Sequence, residues 1–420
     1  MTFDNQTIQA LLNLPDLAID RLVLGERKTL RIYVHSTLEG TQCHRCGKPI
    51  DHYYGLGQEI ELRHLPLLEY RVLLILRPKR YQCRSCEGHP TTSQILSWYT
   101  PRASVTNAFE QQMLLELINS TLEDVSRKQA IGVDALQGIL NRNLTSTVDW
   151  DPIQSVEVVG IDEIALKKGR RDFVVVISAY VNDRLQVIGL LSDRTKTVVQ
   201  QFFSSIPKRL RRTVKMVCSD LYAGFIGAAK AVFGKRVLIC ADRFHIARLY
   251  REGVETLRKR EWKRLRRTLS NATLKQFKNV HWLLRHRRAD LTDDEQRILN
   301  HLFIHSPKLK DAYEACEALT TIYESALSKG QGKRKLRGWI HSVTNRQLSC
   351  FDRFIGTLNT HFEEITNYFF NRQTSGFVEG LNNKLKVLKR RCYGITNLTH
   401  LYQRVSLDLN GYARFGVEPL

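Results

Sequence analysis

Apolar positions change their period several times along this chain, and each change marks a prospective element. Alternation over Leu30–Ser36 (LRIYVHS), Ile60–Leu62 and Tyr70–Leu76 predicts strands, after a short helix over Ile8–Leu12. From residue 104 to 143 the period lengthens. Phe109, Met113, Leu114, Leu117 and Ile118 share one helical face that ends near Asn119. Thr121-Leu-Glu-Asp124 is a capping-box-like start to a second helix, Ile131-Gly132 makes a turn, and Val133, Leu136, Ile139 and Leu140 mark a third. A polar linker, Thr145 to Gln154, follows.

From Ser155 the pattern becomes α/β. Strands are expected over 156–164, 173–181 and 185–191, then a helix capped by Asp193 or Thr195 and running through Phe203. A fourth strand, VKMVCS, ends at Asp220; helix 222–232 and strand 236–240 lead to Asp242-Arg-Phe-His245. Three strands in a meander, then helix, strand, helix, strand, is the order of a ribonuclease-H-like core. Residues 246 to about 370 are helical and basic, which makes most of that region a helical insertion. In the last informative stretch, Val378, Leu381, Leu385, Leu388 and Cys392 recur at helical spacing toward a core, while Glu379, Asn383, Lys386 and Arg390 share another face. The chain therefore reads as multidomain, mixed α+β and α/β. Residues 1–100 form an N-terminal module, 101–150 a helical domain, and 151–420 an α/β domain with its insertion at about 246–370.

Charge adds a partner to this outline. Lys plus Arg number 64 against 42 Asp plus Glu, a formal excess of +22. A field of that sign favours a polyanion, nucleic acid first, over an anionic membrane. The apolar runs are far shorter than the ~20 residues of a membrane span. The start, MTFDNQTIQALLNLPDL, lacks a basic region before an apolar run, so no export signal is expected. In a DNA-directed protein the helix, Gly-containing turn and helix fit a helix-turn-helix, with Asp134, Gln137, Asn141 and Arg142 outward. A plain three-helix packing unit gives the same pattern. The basic turn after Asp162 (Lys167, Lys168) is a second prospective DNA contact. Trp262, Trp282 and Trp339 fit core packing better than base stacking.

Nine cysteines in such a chain argue against a disulfide scaffold. Four are paired, Cys43-His-Arg-Cys46 and Cys83-Arg-Ser-Cys86, and two such knuckles complete a tetrahedral zinc site. Gly47 suits the turn, and the strands at Ile60–Leu62 and Tyr70–Leu76 offer a hairpin that brings the knuckles together. His44, His52, His64 and His89 are weaker ligand candidates; Arg77, Lys79 and Arg80 are a basic edge beside the second knuckle. Core packing is the expected role of the other five cysteines.

Asp162 on the first strand, Asp220 past the fourth and Glu379 on the last helix are acidic residues in a basic chain. Gathered together, they would repel one another unless cations such as magnesium or manganese intervened. Two such ions about 4 Å apart carry phosphodiester transfer, with Asp162 as bridging ligand and Asp220 and Glu379 each completing one ion. Salt bridges to the abundant Arg and Lys account for the same positions, and spacing leaves both readings open.

GIDEIALKKG, VCSDLYAGF, ADRFHIARLYREG and NRQTSGFVEGLNNKLKVLKRRCYGITNLTHLYQR together resemble the transposases of the bacterial ISL-three insertion-sequence family over most of the chain. The resemblance implies a zinc module, a helix-turn-helix and a DDE catalytic domain with a helical insertion. It implies Asp162, Asp220 and Glu379 as the catalytic, magnesium- or manganese-binding triad, and Asp242 and His245 as further active-site residues. Gln137, Asn141, Arg142, Lys167, Lys168, Asn383, Lys386 and Arg390 are the expected DNA contacts. The expected partners are double-stranded DNA (terminal inverted repeats and target) and a second copy of the chain, in the bacterial cytoplasm at the nucleoid. A transposase-derived regulator without activity and a structure-selective nuclease on the same core are the rival expectations.

Overall fold

The structure is a computed structural model that describes residues 5–165, 173–181, 184–370, 376–392 and 395–416, without the side chains of residues 5, 376–379 and 382. Lys167 and Lys168 lie outside the described residues. The chain divides into two units, residues 1–145 with 407–420, and residues 146–406.

In the first unit, helix α1 (Asn5–Leu12) precedes strands β1 (Leu17–Gly25) and β2 (Thr29–Ser36). Two short strands, β3 (Thr41–Gln42) and β4 (Pro49–Ile50), flank the first knuckle, and β5 (Tyr53–Leu56) and β6 (Ile60–Arg63) follow. Next come β7 (Arg71–Leu76), β8 (Lys79–Gln82) and β9 (Thr91–Ser93). The alternation read from LRIYVHS is realised: Leu30, Ile32 and Val34 of β2 are buried with Leu62, Val72, Leu74 and Leu76. The hairpin of β6 and β7 forms, but within a four-stranded sheet of order β1-β2-β7-β6. The knuckles are joined instead by β5-β8-β9, where Tyr53 pairs with Tyr81 two residues before Cys83. The β6–β7 hairpin contributes by delivering the chain through Arg77 and Pro78 into β8.

Helices α2 (Asn107–Leu117), α3 (Leu122–Gln129) and α4 (Val133–Asn143) follow at the expected places. The Thr121 hydroxyl accepts from the Asp124 N–H at 2.9 Å, which opens α3, and Ala130 closes it in the left-handed region at φ 48°. Phe109, Met113, Leu117, Val125, Leu136 and Ile139 make the core of this trio. Leu407 joins them, so the C-terminal residues belong with these helices. A carboxylate is buried between α2 and α4. Glu110 is 5% exposed and accepts from Arg142 Nε and Asn143 Nδ2, each at 2.8 Å.

The second unit is built on a five-stranded sheet of order β12-β11-β10-β13-β14. Strands β10 (Val156–Ala165), β11 (Phe173–Val181) and β12 (Arg184–Leu191) form the antiparallel meander. β13 (Met216–Ser219) and β14 (Leu238–Ala241) run parallel to β10. Each is reached by helical connections: α5 (Lys196–Ser205) and α6 (Lys208–Arg211), then α7 (Ala223–Phe233). Period-2 alternation on the short strands sorts two cores. Val217 and Ile239 pack with Val199, Phe203 and Phe225 of α5 and α7. Met216, Cys218 and Cys240 face the helical body.

That body is α8 (Arg243–Thr268), α9 (Asn271–Gln276), α10 (Val280–Leu283), α11 (Asp293–His305), α12 (Pro307–Glu324), α13 (Lys329–Asn345), α14 (Asp352–Thr360) and α15 (Phe362–Thr366). It starts at Arg243, directly after β14. Trp339 is buried, as core packing predicts, and donates Nε1–H to the Ala315 carbonyl at 2.8 Å, whereas Trp282 is 54% exposed. Helix α16 (Gly376–Arg391) returns to β10, where the Lys389 ammonium donates to the Ala165 carbonyl. Leu381, Leu385 and Leu388 form its buried face. Helix α17 (Leu398–Phe415) ends the described chain.

Replacing Arg142 by alanine strands the Glu110 carboxylate in the trio's core. Arg142→Ala is expected to cost about 2–3 kcal/mol, discounted for the partial exposure of Arg142. Urea denaturation of the full chain checks this, and Arg142→Ala with Glu110→Gln should recover most of the loss.

Candidate active site and metal-binding cluster

The first knuckle is a tight turn closed by Cys43 N–H to Lys48 O and Gly47 N–H to Cys43 O, both 2.9 Å. Gly47 sits at φ 70°, a conformation that needs no Cβ. The second is closed by Cys83 N–H to Pro90 O at 2.9 Å. Together they bring the four Sγ atoms of Cys43, Cys46, Cys83 and Cys86 within 4.8 Å of one another. Cys43 and Cys86 are 3.9 Å apart and Cys46 and Cys83 3.8 Å. A tetrahedron with zinc–sulfur bonds of about 2.3 Å has edges of about 3.8 Å, so the residues fit zinc.

The thiols themselves point the same way. N–H groups of Cys46 and Arg45 pull Cys43 down to about 6, while the neighbouring sulfurs, Cys46 first, push Cys86 up to about 12. A divalent cation removes that conflict. The histidines are engaged elsewhere: His44 with Thr92, His52 with Arg84, His64 with Thr106 and His89 with the Cys83 carbonyl.

The second unit gathers carboxylates by strand register. Ile161 of β10 is level with Ser219 of β13, and Ser219 with Ala241 of β14. The next residue on each line is an aspartate: Asp162, Asp220 and Asp242. Asp220 and Asp242 directly follow the carboxyl ends of β13 and β14, where open α/β sheets place their sites, and Asp162, inside β10 three residues before its end, is level with them. Asp162 Oδ1 accepts from the Glu163 N–H at 2.6 Å, and Asp220 Oδ1 from the Tyr222 N–H at 3.2 Å. Asp242 is buried and caps α8, accepting from the Phe244 N–H at 2.6 Å.

A cleft of about 250 Å³ is lined by Asp162, Glu163, Asp242, His245, Asn383 and Lys386, with Phe244 and Arg248. His245 also lines an adjoining cavity with Asp220, and its Nδ1 is buried with no hydrogen-bond partner among the described residues. Burial raises the Asp162 carboxyl above its usual range, and Asp242 adds to this against His245 and Lys386. Burial likewise raises Asp220, with Asp162 adding and His245 and Arg194 opposing. Glu163 is raised by burial against Arg194, its partner at 3.4 Å. Crowded acids short of positive charge are the donor set hard divalent cations satisfy, so magnesium or manganese fits. Among the described residues, however, the cysteines alone have three or more ligand atoms close enough for a single ion.

Sequence-predicted residues thus meet in part. Asp162, Asp242, His245, Asn383 and Lys386 share the cleft, and Asp220 adjoins it through His245. Glu379 lies on α16 one turn before Asn383, and its side chain is outside the described residues. Arg390 is exposed one turn beyond Lys386. Gln137 and Asn141 bond each other at 3.0 Å, whereas Arg142 is held by Glu110. Glu163 and Arg248 are cleft residues that pattern reading misses. Strand alternation assigns Glu163 to the face opposite Asp162; Arg248, one turn past His245, was available from helical spacing.

A four-cysteine ribbon and an α/β domain with acidic strand ends define a zinc-ribbon protein with the makings of a metal-dependent enzyme. Residues 159–405 match the profile of the ISL3 DDE transposase domain, and residues 39–86 that of the zinc-finger of transposase IS204/IS1001/IS1096/IS1165. The chain belongs to the ISL3 transposase family. It is 25% identical over 400 residues to the transposase for insertion sequence element IS1001 of Bordetella parapertussis, covering 92% of this chain and 93% of the relative. It is 22% identical over 392 residues to the transposase for IS1557 of Mycobacterium tuberculosis, covering 88% and 86%. No helix among the described residues is long and apolar enough to cross a membrane.

Cys43→Ser removes one corner of the sulfur tetrahedron. Zinc bound to the purified chain is expected to fall from about one ion per chain to near none, measured by elemental analysis.

Proposed function

We propose that this chain is an active DNA transposase that binds the terminal inverted repeats of its own insertion sequence, cuts their strands and joins the 3′-hydroxyl ends to target DNA. The observation that carries the reading is the cleft that joins Asp162 and Asp242 with Lys386 and His245, with Asp220 in the cavity that adjoins it at His245. The strand order, an antiparallel meander extended by two parallel strands, supports a ribonuclease-H-like core within a catalytic domain of residues 151–420. Asp162, Asp220 and Glu379 would hold the magnesium or manganese ions. When bound, such ions lower the pKa of an attacking hydroxyl and stabilise the leaving oxygen in phosphodiester transfer.

The chain's own residues prepare that chemistry. Half-buried backbone donors orient Asp162 and Asp220, and Asp242 caps the start of α8, whose His245 lines the cleft. Lys386 and Asn383 stand on α16 where a DNA phosphate would meet the carboxylates, and Arg390 extends the track one turn further. In the N-terminal unit, residues 1–100 serve as the zinc module and 101–150 as the repeat-reading domain. There α3 and α4 would act as a helix-turn-helix with Gln137 and Asn141 outward. The need to pair two element ends favours a homodimer or larger assembly on DNA, in the cytoplasm.

Asp162→Ala, Asp220→Ala and Glu379→Ala should each lower metal-dependent cleavage and joining of terminal-repeat duplexes by at least about 10³-fold. Repeat binding should stay within a few-fold in mobility-shift assays. Full cleavage by any one variant would remove that residue from the site. Affinity for the repeat duplex should also fall by about 10³-fold or more between roughly 50 and 200 mM salt, if six or more phosphates are contacted. A flat salt response would remove the basic surface from the account.

A further inference from the structure

Helix α13 is 17 residues long, KGQGKRKLRGWIHSVTN, and contains no acid. Its apolar side is turned inward. Leu336, Trp339 and Val343 are buried, and a Cβ on Gly332 would strike the Phe369 ring. At about 100° per residue the opposite side collects Arg334, Gly338, His341 and Asn345, with Lys335 and Arg337 on its shoulders. All six are exposed, and His341 and Asn345 bond each other at 3.0 Å. The acids that reach α13 stand at its margins. Glu363 takes Lys329 at 3.1 Å and also Lys333, while Asp311 and Glu314 lie 3.9 and 3.8 Å from Arg346, just past the end. Arg334 and Lys335 have no ion pair among the described residues, and Arg337 lies over the Phe362 ring at 5.2 Å.

Gly338 stands in the middle of this outer face. Glycine inside a helix is less stable than alanine, and no neighbour demands it here, since a Cβ would meet nothing within 4 Å. Gly332 in the same helix is the opposite case. A bare backbone at an exposed, cationic position offers close approach to something outside the chain.

The face has donors and cations but no large apolar side chain, so its partner is a polyanion. A membrane surface would need the apolar side that α13 has buried, and a second copy of the same face would be repelled. Packing limits how deep the partner can go. α12 borders α13 on the Trp339 side and α15 on the Lys333 and Arg337 side, so α13 cannot sink into a groove that one helix fills. It can lie against a ridge of phosphates. The Lys329 ammonium donates to Asn367 Oδ1 at 2.6 Å, and Asn367 Nδ2 donates to the Ile239 carbonyl at 2.7 Å. The first turn of α13 is thereby tied to β14, the strand that leads into Asp242.

We propose that the outer face of α13 docks the sugar-phosphate backbone of duplex DNA, with Arg334 and Lys335 on phosphates and Gly338 at the point of closest approach. The contact reads no bases. It supports the duplex along the ~25 Å length of the helix, about seven base pairs. This inference rests on the proposed action on DNA.

The experiment measures binding of the full-length protein to labelled duplexes of terminal-repeat and of shuffled sequence, by anisotropy at several salt concentrations. Arg334→Gln with Lys335→Gln should lower the salt slope by about 1–2 and weaken both duplexes by the same factor. Gly338→Leu keeps every charge. It should leave the melting temperature unchanged or raised, yet lower affinity for both duplexes by about tenfold. An unchanged salt slope in the double variant, or unchanged affinity in Gly338→Leu, would overturn the docking face. A loss confined to the repeat sequence would overturn the backbone contact and make α13 a reader of bases. Binding that stays intact while Gly338→Leu alters the oligomeric state without DNA would give the face to a second copy. Cleavage of the repeat duplex by the unsubstituted chain is assayed alongside. Its absence defeats the functional reading, whereas the docking face stands or falls on the binding measurements.

Discussion

Parallel pairing of β10, β13 and β14 is the constraint on which the second unit depends. It places Asp162, inside β10, level with Asp220 and Asp242, which directly follow β13 and β14, and leaves all three half-buried or buried. Carboxylates so placed repel one another and lack water, and burial lifts both Asp162 and Asp220 above their ordinary range. The surrounding basic side chains meet that strain only in part: Lys386 from α16, Arg194 opposite Glu163, and His245 from α8. The structure therefore holds its acids in a state that added positive charge stabilises.

The two faces of the sheet divide the work of holding that line. One face is closed by α5 and α7 through Val217, Ile239, Phe203 and Phe225; the other is closed by the helical body through Met216, Cys218 and Cys240. Because α8 begins on Asp242 itself, the helical body is anchored at the cleft. A cavity in that body consequently opens beside the carboxylates. The same logic appears in the first unit, where the β5-β8 pairing sets the knuckles face to face and leaves four sulfurs in need of a cation. Both sites concentrate negative charge within a chain whose excess is +22.

Much of the architecture was legible because its signals are local. The strands carrying Asp162 and ending at Asp220, the three helices from Asn107 to Asn143 and the Cys-x-x-Cys knuckles all fall where hydrophobic period, caps and turn glycines indicate. Glu110 was not legible, since nothing in NAFEQQM marks an acid as buried until Arg142 and Asn143 arrive from another helix. Arg142 reads as an outward DNA contact by helical spacing for the same reason. The β6–β7 hairpin was read correctly as a pair, yet its neighbour β2 comes from forty residues earlier, and only long-range pairing decides that.

By itself the sequence determined the identity of the elements, the four sulfur ligands and the acidic positions, because periodicity, capping and ligand spacing act over a few residues. Tertiary structure decided which of these meet. The register of three parallel strands set Asp242 level with Asp162 and Asp220, long-range packing put Glu163 on the same cleft as Asp162, and the packing of α2 against α4 committed Arg142 to a buried partner. Those outcomes depend on contacts between residues far apart in the chain, and no local pattern encodes them.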